Sequence, residues 1–152
     1  MATTNLRATG TKYPALPKGG TILLEKQIDF SDDNGGANDV FQLFDITAGT
    51  LIIGVSIEVE TGEGATSTIE VGLSAGGTTD STFMTGASIE TAVWLVGDGA
   101  DGDAPATIVT SMVLVDTIFV LETNTAATDT AVINVKVLVA DMTGELGLDP
   151  IA

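Results

Sequence analysis

Apolar and polar side chains alternate between residues 51 and 60, and this alternation is the strongest constraint on what the chain can fold into. One set comprises Leu51, Ile53, Val55, Ile57 and Val59, and the intervening set includes Gly54, Ser56, Glu58 and Glu60. Because successive side chains of a β-strand point to opposite faces, a period of two predicts a strand with one buried face. We expect the first set to be buried and the second to face solvent.

A second alternating segment follows after a short turn. The turn is TGEG (61–64), and the segment TIEVGL (68–73) then resumes the period of two. Two alternating segments joined by a Gly-containing turn predict a β-hairpin over Leu51–Leu73. In such a hairpin the carboxylates of Glu58, Glu60 and Glu70 would lie near one another on the solvent face.

Further strand patterns recur along the chain, separated by clusters of Gly, Asp, Asn and Thr. The predicted strands are Thr21–Phe30, Asp39–Ile46, Thr91–Val96, Thr107–Val113, Thr117–Glu122 and Thr130–Ala140, with Phe83–Ile89 either a strand or a loop. No window shows the 3.6-residue period of a helix. The sequence therefore predicts an all-β fold, either a single antiparallel β-sandwich or a jelly-roll-like barrel. A chain of 152 residues has room for one such domain.

The two ends of the chain differ from the predicted sandwich at residues 21–142. Residues 1–20 contain Pro14, Pro17, Gly19 and Gly20, which interrupt regular ladders, so we expect an extended N-terminal arm. Residues 143–152 are expected to form an irregular C-terminal tail.

The arm carries the candidate interface residues. Four of the five basic residues lie at positions 7–26, and every charge between Lys26 and Lys136 is negative. A cationic arm on an anionic body suits docking on a neighbouring copy or an acidic partner, and a Tyr beside Pro suits an interface anchor. The candidate interface residues are Arg7, Lys12, Tyr13, Pro14 and Lys18. The alternative is a solvated terminus.

Charge and composition exclude several classes of function. The formal net charge of −16 argues against a nucleic-acid partner. The chain has no Cys and no His, which removes thiolate nucleophiles, the commonest acid/base group and the usual zinc ligands. Aromatic residues make up only 5% of the chain, whereas several aromatic side chains normally line the sugar-binding cleft of a glycosidase. We expect no enzymatic activity, no secretory signal and no membrane partner, since no apolar run is long enough to span a bilayer.

One loop is a candidate cation site. Asp98, Asp101 and Asp103 lie in the segment GDGADGD and could offer carboxylate oxygens to Ca²⁺, although their spacing is not that of an EF-hand. The alternative is a solvated acidic turn. No other cofactor is expected.

The apolar content of the chain leaves a further choice open. Mean hydropathy is +0.39 and only 17% of residues are charged, which favours a buried subunit interface on one apolar face, unless the chain is simply a Val- and Thr-rich β-domain. Trp94, the only Trp, is expected to pack in the core rather than to anchor an interface.

The middle and C-terminal parts of the chain resemble small structural proteins of tailed bacteriophage virions. The resemblance rests on IGVSIEVETGEGATSTIEVG (53–72), with its turn at Glu63 and Gly64, on the Gly- and Asp-rich loop, and on the closing strand VINVKVLVADM (132–142). It implies a β-sandwich of the capsid decoration or cement type, present in many copies as a homotrimer. It also implies that the protein binds the major capsid protein on the outer surface of the head, stabilises the shell, and carries no catalytic residues.

This resemblance gives the functional expectation. The arm and one edge of the sandwich are expected to contact the major capsid protein, and an apolar face is expected to contact further copies of the chain. The alternative is a tail- or fibre-associated module that binds carbohydrate or calcium through the loop at Asp98–Asp103.

Overall fold

Ten β-strands form the part of the chain that the computed structural model describes, which is residues 2–6, 20–74, 81–96, 111–124 and 127–142. The strands are β1 (Thr3–Asn5), β2 (Thr21–Asp29), β3 (Val40–Ile46), β4 (Thr50–Thr61), β5 (Thr68–Ser74), β6 (Ser81–Ser88), β7 (Val93–Val96), β8 (Ser111–Met112), β9 (Thr117–Thr123) and β10 (Val132–Asp141). These residues contain no helix, and therefore none that could cross a membrane. The predicted all-β fold is confirmed.

The strands are divided between two five-stranded sheets. Sheet 1 has the order β1-β3-β9-β5-β6, and sheet 2 has the order β2-β10-β4-β7 with β8 also paired to β4. All pairs are antiparallel except β1 with β3, which is parallel. The first strand lies inside the segment predicted to be an arm, so residues 3–5 are part of the sandwich.

The predicted hairpin over Leu51–Leu73 is wrong. β4 pairs with β10, β7 and β8 in sheet 2, whereas β5 pairs with β6 and β9 in sheet 1, so the chain crosses between sheets at residues 62–67. Glu58 and Glu60 consequently lie on a different sheet from Glu70, which is opposite Glu122 of β9. A hairpin and a crossover have the same local signal of two alternating segments and a turn, and only the long-range pairing of β4 with β10 distinguishes them.

Two β-bulges explain where the alternation of side chains breaks. In β4 the pairing with β10 skips Ile53, so that Ile52 is fully buried, while Leu51 and Ile53, which were predicted to be buried, are only half-buried. In β3 the pairing with β9 skips Leu43. A bulge adds one residue to one strand and so exchanges the inward and outward positions beyond it. This is why β3 shows no clean alternation in the sequence.

The core lies between the two sheets. The inward positions of β4 and β10 supply Val and Ile, and the aromatic side chains come mainly from sheet 1. Phe30 packs edge-on against Phe41 with ring centroids 5.3 Å apart, and Phe119 contacts Phe83 and Phe44 at 5.8 and 6.1 Å. Aromatic pairs at these distances add stabilisation beyond the area they bury.

The crossover from β4 to β5 is locked by Glu63. Its carboxylate accepts hydrogen bonds from the amide N–H groups of Asp129 (3.1 Å), Thr130 (3.2 Å) and Ala131 (2.9 Å), just before β10. Its own N–H donates to the carbonyl of Ile89 at 2.9 Å. Gly62 is required here because an added Cβ would lie 2.2 Å from the carbonyl oxygen of Glu90. The GEG turn therefore joins three distant parts of the chain.

Candidate interaction surface

The site residues proposed from the sequence lie outside the described residues. This holds for the arm residues Arg7, Lys12, Tyr13, Pro14 and Lys18 and for the loop residues Asp98, Asp101 and Asp103. Their roles stay predictions. Among the residues that the structure does describe, no group of three or more acidic side chains is arranged to hold a metal ion. What the structure shows is how both segments are attached to the sandwich.

Residues 7–19 are attached at both ends. On the N-terminal side, Val40 N–H donates to the carbonyl of Ala2 (2.9 Å), and Leu6 N–H donates to the carbonyl of Gln42 (3.0 Å). On the C-terminal side, the segment leads into β2 at the edge of sheet 2. The basic segment therefore connects β1 to β2 rather than ending freely.

The carboxylate of Asp39 reinforces the N-terminal attachment. It accepts hydrogen bonds from the amide N–H groups of Ala2 and Gly36, the latter at 2.8 Å. These bonds favour the charged form, and the one from Ala2 contributes most to lowering the pKa of Asp39. Removal of residues 2–18 would therefore also remove a strand of sheet 1.

Residues 97–110 connect β7 to β8, and both strands lie on the same side of β4. The register pairs Glu58 with Trp94 and Ser56 with Val96 in β7, and Leu51 with Met112 in β8. We call this margin of sheet 2 the β7/β8 edge and define it by residues 93–96 and 111–115.

Large apolar side chains of the β7/β8 edge are exposed. Trp94 and Val96 expose 58% and 57% of their surface, and Leu114 and Val115 expose 82% and 67%. Leu95 points the other way and packs against the core. Val113 is buried, and its N–H donates to the carbonyl of Thr50 at 2.9 Å, so the exposed side chains that follow it stand on a backbone held by β4. Exposed apolar side chains on a rigid support are typical of binding surfaces.

The expectation that Trp94 packs in the core is wrong. Trp94 and Val96 alternate with Val93 and Leu95, so the strand has apolar residues on both faces and its pattern does not indicate which pair is buried. The register with β4 decides this, since Trp94 lies opposite the outward-facing Glu58. Sequence reasoning therefore missed an important residue of this surface.

A charged cluster lies beside Trp94 on the outer face of sheet 2. The ammonium of Lys136 lies 2.9 Å from Glu58 and 3.6 Å from Glu25, and 4.4 Å from the centroid of the Trp94 ring. The hydrogen bond to Glu58 is the largest contribution to raising the pKa of Lys136. Ion pairing and a cation–π contact thus hold Trp94 against the sheet while leaving more than half of it exposed.

The cluster is completed by two amide side chains. Asn134 donates from Nδ2 to Glu25 at 2.6 Å, and Gln27 donates from Nε2 to Glu60 at 3.1 Å. Glu25, Glu58 and Glu60 therefore have polar partners within the sheet, whereas the large apolar side chains of the β7/β8 edge stay exposed.

Comparison with solved structures identifies proteins that share this fold. No family model matches the sequence, and no curated protein matches it. Among solved structures, a chain of the capsid of Ralstonia phage GP4 superposes with a TM-score of 0.63 at 12% identity, over 96% of this chain and 100% of that one. The chain has the β-fold of a phage capsid protein.

Two other phage capsids contain similar chains. A chain of the cyanophage Pam1 capsid gives a TM-score of 0.54 at 17% identity, over 88% of this chain and 95% of that one. A chain of the acid-stable capsid of Helicobacter pylori bacteriophage KHP30 gives 0.52 at 16% identity, over 81% and 89%. The resemblance to a phage virion β-sandwich that the sequence indicates is confirmed at the level of the fold. All three chains are close to this chain in length, because both coverages are high.

Proposed function

We propose that this protein is a non-enzymatic structural protein of a phage virion, and specifically a decoration protein that binds the major capsid protein on the outer surface of the head as a homotrimer. The observation that carries the proposal is the superposition with the chain of the GP4 capsid over 96% of this chain and 100% of that one. Since a fold alone does not determine function, the proposal also relies on the surface.

The surface supports attachment in many copies. The β7/β8 edge presents apolar side chains on a hydrogen-bonded sheet, and the ammonium of Lys136 is paired within the sheet with Glu25 and Glu58. Apolar contacts lose little strength when salt screens charges, and repeated attachment over a lattice multiplies weak single contacts. A head protein needs both properties. The candidate arm residues Arg7, Lys12, Tyr13, Pro14 and Lys18 remain its proposed contact residues in the assembled head.

The test is binding to heads that lack this protein. Empty heads assembled from the major capsid protein of the same phage are mixed with the purified chain and sedimented, and cryo-electron microscopy locates the bound density. We expect the chain to sediment with the heads, to appear on their outer surface at three-fold positions, and to raise the temperature at which they rupture. If the chain stays in the supernatant at tens of micromolar, the proposal is wrong.

The arm is tested by substitution. Removal of Ala2–Lys18 would also remove β1, so the variant to use replaces Arg7, Lys12, Tyr13 and Lys18 by Ala and keeps residues 2–6. We expect this variant to fold and to be depleted from the heads. Decoration at the wild-type level would exclude the arm as a contact segment.

A further inference from the structure

Among the described residues, the β7/β8 edge differs from the other sheet edges in combining several large exposed apolar side chains with the absence of charge. At the edges of sheet 1, β1 has only three residues and the β5–β6 pairing is interrupted by register shifts. At the other edge of sheet 2, β2 carries Glu25 and Lys26. Short strands, bulges and charges are the usual means of preventing edge-to-edge pairing. β7 and β8 are themselves short, with four and two residues, but residues 93–96 and 111–115 carry no charge, and in the described part of the chain β7 is paired only with β4.

The charges around this edge indicate its partner. Residues 97–110, which connect β7 to β8, contain Asp98, Asp101 and Asp103 and no basic residue. Residues 2–24 contain Arg7, Lys12 and Lys18 and no acidic residue, which makes them the only cationic stretch of the chain. This stretch also contains Tyr13 and Leu16, which suit an apolar edge. An apolar edge whose two strands are joined by a segment with three carboxylates is complementary in charge to a segment with three cations.

The attachment points favour a contact between two copies. Residues 7–19 lead into β2, which is separated from β7 by β10 and β4, a distance of about 14 Å. Docking on the β7 edge of its own chain would require the segment to return across the width of sheet 2 to reach β2, whereas docking on a second copy would not.

We propose that residues 7–18 of one copy dock on the β7/β8 edge of a second copy. This proposal deepens the proposed function by naming the partner of the arm. It rests on the proposed function only in locating the contact on a phage head. Because the segment leads into β2 at one edge of sheet 2 and the acceptor lies at the opposite edge, the contact joins two different surfaces and is head-to-tail. Head-to-tail contacts that close give a ring, which agrees with the proposed homotrimer.

A mixing experiment tests the contact. The arm variant replaces Arg7, Lys12 and Lys18 by Glu, and the edge variant replaces Trp94 and Val96 by Lys. We expect the wild-type protein to have a solution mass of about three times 15.4 kDa and each variant alone to be a monomer. An equimolar mixture of the variants should give a dimer, because one chain keeps its edge and the other keeps its arm. The matched control is Leu23→Lys on β2, which is 54% exposed and should leave the mass of the wild type unchanged.

Several results would overturn the proposal. They are a monomeric wild-type protein, variants that both stay oligomeric, a mixture that stays monomeric, and loss of the oligomer in the Leu23→Lys control. Thermal unfolding of each variant shows whether it is folded. If the edge variant does not fold, a crosslink decides, since the chain has no native Cys. A short bismaleimide should join a Tyr13→Cys copy to a Val96→Cys copy but not to a Leu23→Cys copy, and equal crosslinking of both pairs contradicts the proposal.

Failure of this contact and failure of the proposed function are separable. Binding to heads is measured on the same variants as the mass in solution. A protein that forms the ring but does not sediment with heads contradicts the decoration role alone. A protein that decorates heads as a monomer contradicts the docking of the arm on a second copy alone.

Discussion

Replacement of Glu63 by Gln tests whether one carboxylate holds the crossover between the sheets. Oε1 of Glu63 accepts from the N–H of Asp129, and Oε2 accepts from the N–H groups of Thr130 and Ala131. A glutamine has one carbonyl oxygen, which can keep the latter two as neutral hydrogen bonds. Its amide group would then face the N–H of Asp129, so that two donors oppose each other.

The expected loss follows from these three bonds. A hydrogen bond to a charged group contributes roughly 1.5–3 kcal/mol and a neutral one about 1 kcal/mol. Losing one bond and weakening two therefore lowers the free energy of unfolding by about 3 kcal/mol. For a domain of this size each kcal/mol lowers Tm by roughly 2–4 °C, so we expect a decrease of about 6–12 °C.

The effect should depend on pH with a definite sign. Partial burial of Glu63 acts to raise its pKa, but the hydrogen bonds from Asp129, Thr130 and Ala131 outweigh it, and the pKa lies below its ordinary value of 4.5. A lowered pKa in the folded state contributes stability that is fully present above pH 4.5 and is lost as the pH falls through the folded-state pKa. The difference between wild type and Glu63→Gln should therefore be largest near pH 7 and shrink in acid.

The assay is urea unfolding followed by circular dichroism at pH 7 and pH 3, at equal protein concentration. The control is Glu60→Gln, because Glu60 is exposed and, within the described part of the chain, accepts a single side-chain hydrogen bond, from Gln27. This control should change stability by less than about 0.5 kcal/mol. If Glu63→Gln changes stability no more than its control, the carboxylate does not hold the crossover and the reasoning is refuted.

Two further predictions concern the same sheets. Gly62→Ala should lower the free energy of unfolding by about 3 kcal/mol or more, because its Cβ would lie 2.2 Å from the carbonyl oxygen of Glu90. Gly54→Ala should be tolerated, because no atom lies within 4 Å of the added group. Thermal unfolding compares the two variants, and equal Tm values would contradict the close approach at Gly62. Lys136→Met should change the fluorescence of Trp94, the only Trp, by removing the cation 4.4 Å from its ring. Since its partners raise the pKa of Lys136, the Trp94 emission of the wild type should stay constant up to about pH 10.5 and change only above that pH. If the emission of Lys136→Met changes by the same amount above pH 10.5, Lys136 is not the cause of the change.

Part of the interaction surface follows from the sequence and part does not. The basic stretch at residues 7–18 and the excess of apolar residues are visible in the sequence, and they predict a contact with a neighbouring copy or an acidic partner. The location of the apolar surface is not visible, because β7 has apolar residues on both faces and β8 is only two residues long. The pattern of β7 alone therefore does not show that Trp94 is exposed. Its exposure depends on its register with Glu58, which is a contact between residues far apart in the chain.

The sequence by itself determines the all-β class and most of the strands. Period-two alternation and Gly- and Asp-rich turns are local properties, and strands such as β2, β3, β9 and β10 lie within a residue or two of their predicted positions. The tertiary structure alone decides which strands share a sheet, where the bulges shift the alternation, and that residues 3–5 pair with β3. The physical reason is that strand pairing depends on hydrogen bonds and side-chain contacts between distant segments. A turn such as TGEG is compatible with a hairpin or a crossover until β10 takes the place beside β4.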